Sequence, residues 1–171
     1  MHPDGAVDYD GVAELAKYLV ANGNDGIVVN GTTGEAPTTS DDEKLHILAA
    51  VVDAVGDSAF VMAGVGTNDT HHSIELAKAA VGVGANGLLA VTPYYNRPPQ
   101  AGIVRHFMAL ADSVELPIML YDIPGRTGTP IEPASLIELA EHPNIAAVKD
   151  AKGDLESVVD VLRQTNLVWY S

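Results

Sequence analysis

Six apolar, β-rich runs recur along the chain, beginning at Ile27 (IVVN), Ala59 (AFVMAGV), Gly87 (GLLAVTP), Pro117 (PIMLYDIP), Ile145 (IAAVKDA) and Leu167 (LVWYS). Their starts lie 22 to 32 residues apart. Hydrophobicity that is nearly continuous, rather than alternating, marks strands covered on both faces. Before the first run and between the others, apolar positions follow a helical period over 12–20, 41–55, 71–83, 103–113, 133–141 and 155–164. The stripe of Leu45, Leu48, Val51, Val52 and Val55 is the core side of one such helix. Ser40 with Glu43 three residues on predicts a capping box, and Thr70 and Asp154 are placed as N-caps. GVGANG at 82–87 matches the dinucleotide-binding pattern, but it closes a helix and enters a strand, the reverse of the required context. It reads as a turn.

Repeated strand–helix units predict a parallel sheet covered by helices, either an open doubly wound sheet or a closed (β/α)8 TIM barrel. We take the barrel, in a single domain over 1–171, because no linker or composition shift divides the chain. A full barrel of this period needs about 250 residues. The six runs then supply six of eight strands, which leaves sheet edges that another segment or chain must cover.

Charge narrows the partners. Nine Lys and Arg face 23 Asp and Glu, a formal net charge of −14. Nucleic acid and anionic membrane surfaces both require a basic footprint, so neither is expected as a partner. The absence of cysteine rules out disulfides, thiolate metal sites and thiol nucleophiles, and suits a reducing compartment. Residues 1–10 are polar, without the apolar core of a signal peptide, and no run approaches the ~20 residues of a membrane span. A cytoplasmic location is expected. The six histidines show no ligand spacing such as HExxH, so no metal is expected.

In parallel α/β folds the reactive residues follow the carboxyl ends of the strands. Those segments are GTTGE (31–35), GVGTND (64–69), TPYYNRP (92–98), YDIPGRTG (121–128) and KDAKGD (149–154). They hold four of the nine basic residues, Arg97, Arg126, Lys149 and Lys152, which suits a small anionic substrate. Lys149 ends an apolar run. A desolvated lysine becomes the neutral amine that attacks a carbonyl to form a Schiff base, whereas a strand-end lysine can equally reach solvent or pair with Asp150 or Glu35. The amides and hydroxyls of Gly31, Thr32 and Thr33 can hold a carboxylate, or form an ordinary glycine-rich turn. Without the P-loop lysine, a triphosphate is disfavoured. Tyr121 and Tyr95 leave their strands at the same face, as proton carriers or as rim aromatics. Arg126 can clamp a carboxylate, or stand as a solvated loop arginine.

Together GTTGE, TPYYNRP, YDIPGRTG and the strand-end lysine of VKDA, in this order and spacing, resemble the dihydrodipicolinate synthase family of pyruvate-dependent class I lyases and aldolases, over essentially all 171 residues. The resemblance implies a (β/α)8 barrel that condenses pyruvate with L-aspartate 4-semialdehyde, the entry step of diaminopimelate and lysine synthesis. It implies Lys149 as the Schiff-base residue, and Thr32, Tyr121 and Tyr95 as a proton relay, with Tyr95 reaching a neighbouring subunit's site. Thr33, beside Gly31, would hold the pyruvate carboxylate and Arg126 that of the semialdehyde. No external cofactor is implied, and complete relatives are homo-oligomers, commonly tetramers. Family members run to nearly twice this length and carry a C-terminal helical region that is absent here. At positions aligned with the lysine-inhibitor pocket of some relatives stand Asp41, Lys44 and His72, with Asn68 and Tyr94 retained, which speaks against feedback inhibition by lysine.

Two other readings remain open on the residues. One is a Schiff-base aldolase for a different aldehyde. The other is a noncatalytic barrel segment whose open edges serve assembly.

Overall fold

In the computed structural model, which describes residues 1–171, all six apolar runs are strands of one parallel sheet. They are β1 (Gly26–Val29), β2 (Phe60–Gly64), β3 (Gly87–Val91), β4 (Ile118–Asp122), β5 (Ile145–Asp150) and β6 (Val168–Tyr170). Each strand pairs with the next in sequence, in the order β1-β2-β3-β4-β5-β6. That sequential order is the order of a (β/α)8 wall. A doubly wound sheet reverses direction at a switch point, and this one does not. The molecule is a half-barrel whose outer edges are β1 and β6.

Helices α1 (Tyr9–Ala21), α2 (Asp41–Val55), α3 (Thr70–Val83), α4 (Gln100–Ala111), α6 (Pro133–Leu139) and α7 (Leu155–Leu162) fall on the periodic segments, with ends shifted by up to three residues. The capping box is present: Ser40 Oγ accepts from Glu43 N–H, while Glu43 Oε2 accepts from Ser40 N–H at 2.7 Å. Asp154 caps α7 as expected. The expectation for α3 is off by one residue. Asp69, not Thr70, is the N-cap, because its carboxylate accepts from both His71 and His72 N–H, leaving Thr70 as the first helical residue. GVGANG is a turn: Gly84 ends α3 at φ +103°, a left-handed conformation that glycine adopts without cost. Two short elements have no periodic signature, a 3-10 turn at Ala36–Thr38 and α5 (Pro124–Thr127) inside the PGRTG loop.

The two faces of the sheet differ. On the helix-covered face, Val29, Val61, Ala63, Leu88, Ala90, Ile118, Leu120 and Val148 join Leu48, Val51, Val55, Phe107 and Leu110 in one core. The other face lines a trough of about 570 Å³, bounded by Val28, Phe60, Met62, Met119, Ala147 and Val168. Val28, Phe60, Val168 and Tyr170 are each more than 40% exposed, so strands expected to be buried on both sides are covered on one.

Candidate active site

The carboxyl ends of β4 and β5 set the centre of the site. Parallel pairing puts Tyr121 opposite Lys149 and Asp122 opposite Asp150. Residues opposite in register share a face, so the Lys149 side chain meets the ring of Tyr121 directly. Its Nζ lies 3.7 Å from the ring centroid, a cation–π distance. Tyr121 is buried, and its backbone carbonyl accepts from both the N–H and the hydroxyl of Thr92, at 3.0 and 3.2 Å. The phenol is therefore carried on a rigid base. Lys149 itself is half-buried and faces the trough. Neither of its alternative partners takes it. The Asp150 carboxylate instead accepts from Lys152 N–H at 2.8 Å.

A larger cavity, of about 710 Å³, opens beyond the ends of β1 to β4. Gly31, Thr32, Tyr95, Tyr121 and Arg126 all line it. Lys149 lines the trough instead, and its contact with the Tyr121 ring is where the two spaces meet. Thr33 lines neither; it is exposed on the turn in which Gly34 N–H and Ala36 N–H both bond back to the Gly31 carbonyl. Tyr95 is 86% exposed at φ +72°. A bulky residue held at positive φ costs on the order of 1–3 kcal/mol, so the loop presents this ring outward against its local preference.

The four basic residues expected to charge the site do not act alike. Arg126 is exposed at the top of the PGRTG loop and lines the larger cavity. Arg97 lies across Gly128, where a Cβ would come within 2.7 Å of Arg97 Nε. Lys152 turns away from the cavity to the buried Asp122, at 2.8 Å. In its place Lys44 enters the lining, beside Asp41 and His72. Asp41 accepts from His72 Nε2 at 2.8 Å and stands 3.6 Å from Lys44 Nζ; the histidine bond, more than the lysine charge, holds its carboxyl below the usual range. The sequence brought these three together only through the family resemblance. Asp41 and His72 are 31 residues apart, and no spacing rule joins them.

The Dihydrodipicolinate synthetase family model matches residues 1–171. This chain belongs to that family. Among relatives, the 4-hydroxy-tetrahydrodipicolinate synthase of Acidothermus cellulolyticus is 64% identical over 168 residues, which are 98% of this chain and 54% of that protein. That of Cutibacterium acnes is 63% identical over 169 residues, covering 98% of this chain and 58% of its own. The chain thus spans little more than half the length of these synthases. Among solved structures, the family member from Cyanidioschyzon merolae, with lysine bound, superposes with a TM-score of 0.96 at 44% identity, over 98% of this chain and 58% of that one. The chloride-inhibited synthase of Acinetobacter baumannii, complexed with pyruvate, gives 0.95 at 40% identity, over 100% and 60%. The half-barrel is the synthase fold as far as it extends.

Proposed function

We propose that this chain carries the Schiff-base half of a 4-hydroxy-tetrahydrodipicolinate synthase, condensing pyruvate with L-aspartate 4-semialdehyde. The observation that carries the reading is the Lys149 Nζ held 3.7 Å over the Tyr121 ring at the strand ends. The lysine, once neutral, attacks the keto carbon of pyruvate; the resulting carbinolamine loses water to give the iminium. The iminium is the electron sink, so the methyl carbon releases a proton and an enamine forms. That carbon then bonds to the aldehyde carbon of the semialdehyde, whose oxygen takes up a proton. The semialdehyde's own amine finally attacks the imine carbon, closes the ring and frees Lys149.

Each proton movement needs a carrier, and Tyr121, opposite Lys149 on the adjoining end of β4, is the hydroxyl-bearing residue whose ring the Lys149 amine meets. Thr32 lines the same cavity and extends the relay, and the protruding Tyr95 suits a third member donated to the site of a second copy. On the turn after β1, Gly31, which lines the cavity, and Thr33, exposed beside it, take the pyruvate carboxylate. Arg126 takes the semialdehyde carboxylate as a charge-assisted pair. In this reading 1–171 forms one partial barrel unit of a cytoplasmic homo-oligomer, and no cofactor is required because the lysine imine does the work a cofactor would do.

The test is borohydride reduction in the presence of pyruvate, followed by intact mass and peptide mapping. A pyruvate-derived adduct on Lys149 is expected, and its absence from a folded sample overturns the Schiff-base reading. Arg126→Ala separates the aldehydes. Loss of one charge-assisted contact, about 1.5–3 kcal/mol, raises KM for a carboxylate-bearing aldehyde by roughly ten- to a hundredfold and leaves an uncharged aldehyde unaffected. A second reading, favoured by the open β1 and β6 edges, is a noncatalytic barrel segment. A folded chain that assembles but never takes pyruvate would support it.

A further inference from the structure

Behind the site lies a charged pair that the condensation does not use. Asp122 closes β4 and is completely buried. Its Oδ2 stands 2.8 Å from Lys152 Nζ and accepts from Ile131 N–H at 3.1 Å, while Oδ1 is buried with no partner. Lys152, with its side chain 12% exposed, also donates from Nζ to the Ile131 carbonyl at 3.1 Å. Ile131 is thus held at both its N–H and its C=O by one ion pair. The pair itself is anchored to the sheet: Ala151 N–H donates to the Asp122 carbonyl at 2.9 Å, and Lys152 N–H to Asp150 Oδ1 at 2.8 Å.

The geometry closes a ring. Residues 123–131 leave β4 at Asp122 and return to the carboxylate of that same residue, with Arg126 at the far side of the excursion. Within the loop, the Thr127 hydroxyl shares its one hydrogen between the carbonyls of Ile123 and Thr129, at 3.1 and 2.9 Å, and the N–H groups of Thr127 and Gly128 donate to the Ile123 and Pro124 carbonyls, so the segment is internally stiff and moves with its ends. One end is β4. The other is Ile131, which the ion pair holds at both backbone groups, beside the bonds of Gln100 to the flanking Pro130 carbonyl and Glu132 N–H. A buried pair of this kind adds little net stability, because desolvation opposes the Coulomb attraction, while its two hydrogen bonds tie the Ile131 backbone to one arrangement. Burial pushes the Asp122 carboxyl up, and the bond and charge of Lys152 oppose that rise without cancelling it.

We propose that Asp122 and Lys152 are positioning residues that hold the 123–131 loop so that Arg126 meets the carboxylate of the second substrate. The part concerning the substrate rests on the function proposed above. The part concerning the loop does not. Because Lys152 lies three residues beyond Lys149, the same device ties the loop of the second substrate to the strand that carries the nucleophile.

The test compares the wild-type chain with Lys152→Met, which keeps the length of the side chain and removes the charge. Backbone hydrogen exchange is read by mass spectrometry over 123–131, beside 118–122 and 145–150 as controls. The loop remains tethered from α4, where Gln100 bonds the Pro130 carbonyl and Glu132 N–H, so a looser loop rather than a lost one is expected. Faster exchange confined to 123–131 supports the proposal. Equal exchange in both proteins, or acceleration spread equally over β4 and β5, overturns it.

Should Lys152→Met fail to fold with Asp122 left unpaired, the double variant Asp122→Leu with Lys152→Met leaves no buried charge and has also lost both bonds to Ile131; the same exchange pattern is expected there. In turnover assays, Lys152→Met raises KM for the semialdehyde by about ten- to a hundredfold, with borohydride trapping of pyruvate unchanged. A loosened loop with unchanged KM overturns the link to Arg126. If wild-type chain traps no pyruvate, the proposed function fails, and the exchange comparison still decides whether the pair holds the loop.

Discussion

At Lys149, the amine is placed by register and by an aromatic face rather than by a carboxylate partner. Tyr121 therefore has two separable contributions, its ring and its hydroxyl. Tyr121→Phe keeps the ring beneath the lysine, so pyruvate trapping is retained. Turnover falls by about 10²- to 10⁴-fold, the usual scale for removal of a general acid or base; steady-state kinetics beside the trapping assay separates the two. A different residue contributes to the response to acid. His106 is 4% exposed, its Nδ1 lies 2.9 Å from Thr70 Oγ1 and its Nε2 has no partner. Burial lowers its pKa to about 4, outweighing the pull of Asp69. Unfolded, the imidazole takes a proton near 6.5, so between the two values the unfolded chain binds more protons than the folded one. Its contribution is complete above pH 6.5 and is lost as the pH falls towards 4, by roughly 3 kcal/mol. Urea unfolding midpoints measured from pH 7 to 4 should decline over this window, and His106→Gln should flatten that part of the decline.

Among the elements, the backbone beyond the strand ends approaches so closely that glycine is required at Gly64 and again at Gly66, where a Cβ would stand 2.3 Å from Val91 N. A Cβ on Gly64, at the end of β2, would stand 2.2 Å from the Asn30 carbonyl oxygen beyond β1. Backbone cannot move aside as a flexible side chain can. Gly64→Ala is expected to destabilise the chain by about 1–3 kcal/mol, the usual cost of overpacking. The damage should concentrate on the β1 end of the sheet. Hydrogen exchange over 26–31 and 60–66 is the measurement, with β4 and β5 as the unaffected reference.

For the molecule as a whole, the decisive feature is a sheet with two free edges and one uncovered face. Val28, Phe60, Val168 and Tyr170 stand exposed around the trough, a surface that favours pairing with another segment or copy. A net charge of −14 opposes self-association by repulsion, and salt screens that repulsion over about 10 Å at 0.1 M. Association should therefore increase with ionic strength. Light scattering after size exclusion at low and high salt reads this directly, and Val168→Lys should suppress the salt-induced species by placing a charge on the β6 edge.

The hydrophobic period by itself determined the six strands, the helices between them and the helix-covered core, because burial of one stripe against a sheet is a local repeat that any window of the chain displays. The capping box at Ser40 and the turn at Gly84 were equally legible, since their hydrogen bonds join residues only a few positions apart. The motif positions Lys149, Tyr121, Thr32 and Arg126 could be read from where the strands end. What only the tertiary structure decided is how distant side chains meet. The contact of Lys149 with Tyr121 depends on strand register, the pairing of Asp41 with His72 on helix docking, and the turn of Lys152 towards Asp122 on burial that no linear pattern records. The one-sided covering of β1 and β6 belongs with these, because a strand's composition shows that it is suited to burial, while the packing of the rest of the molecule decides whether anything covers it.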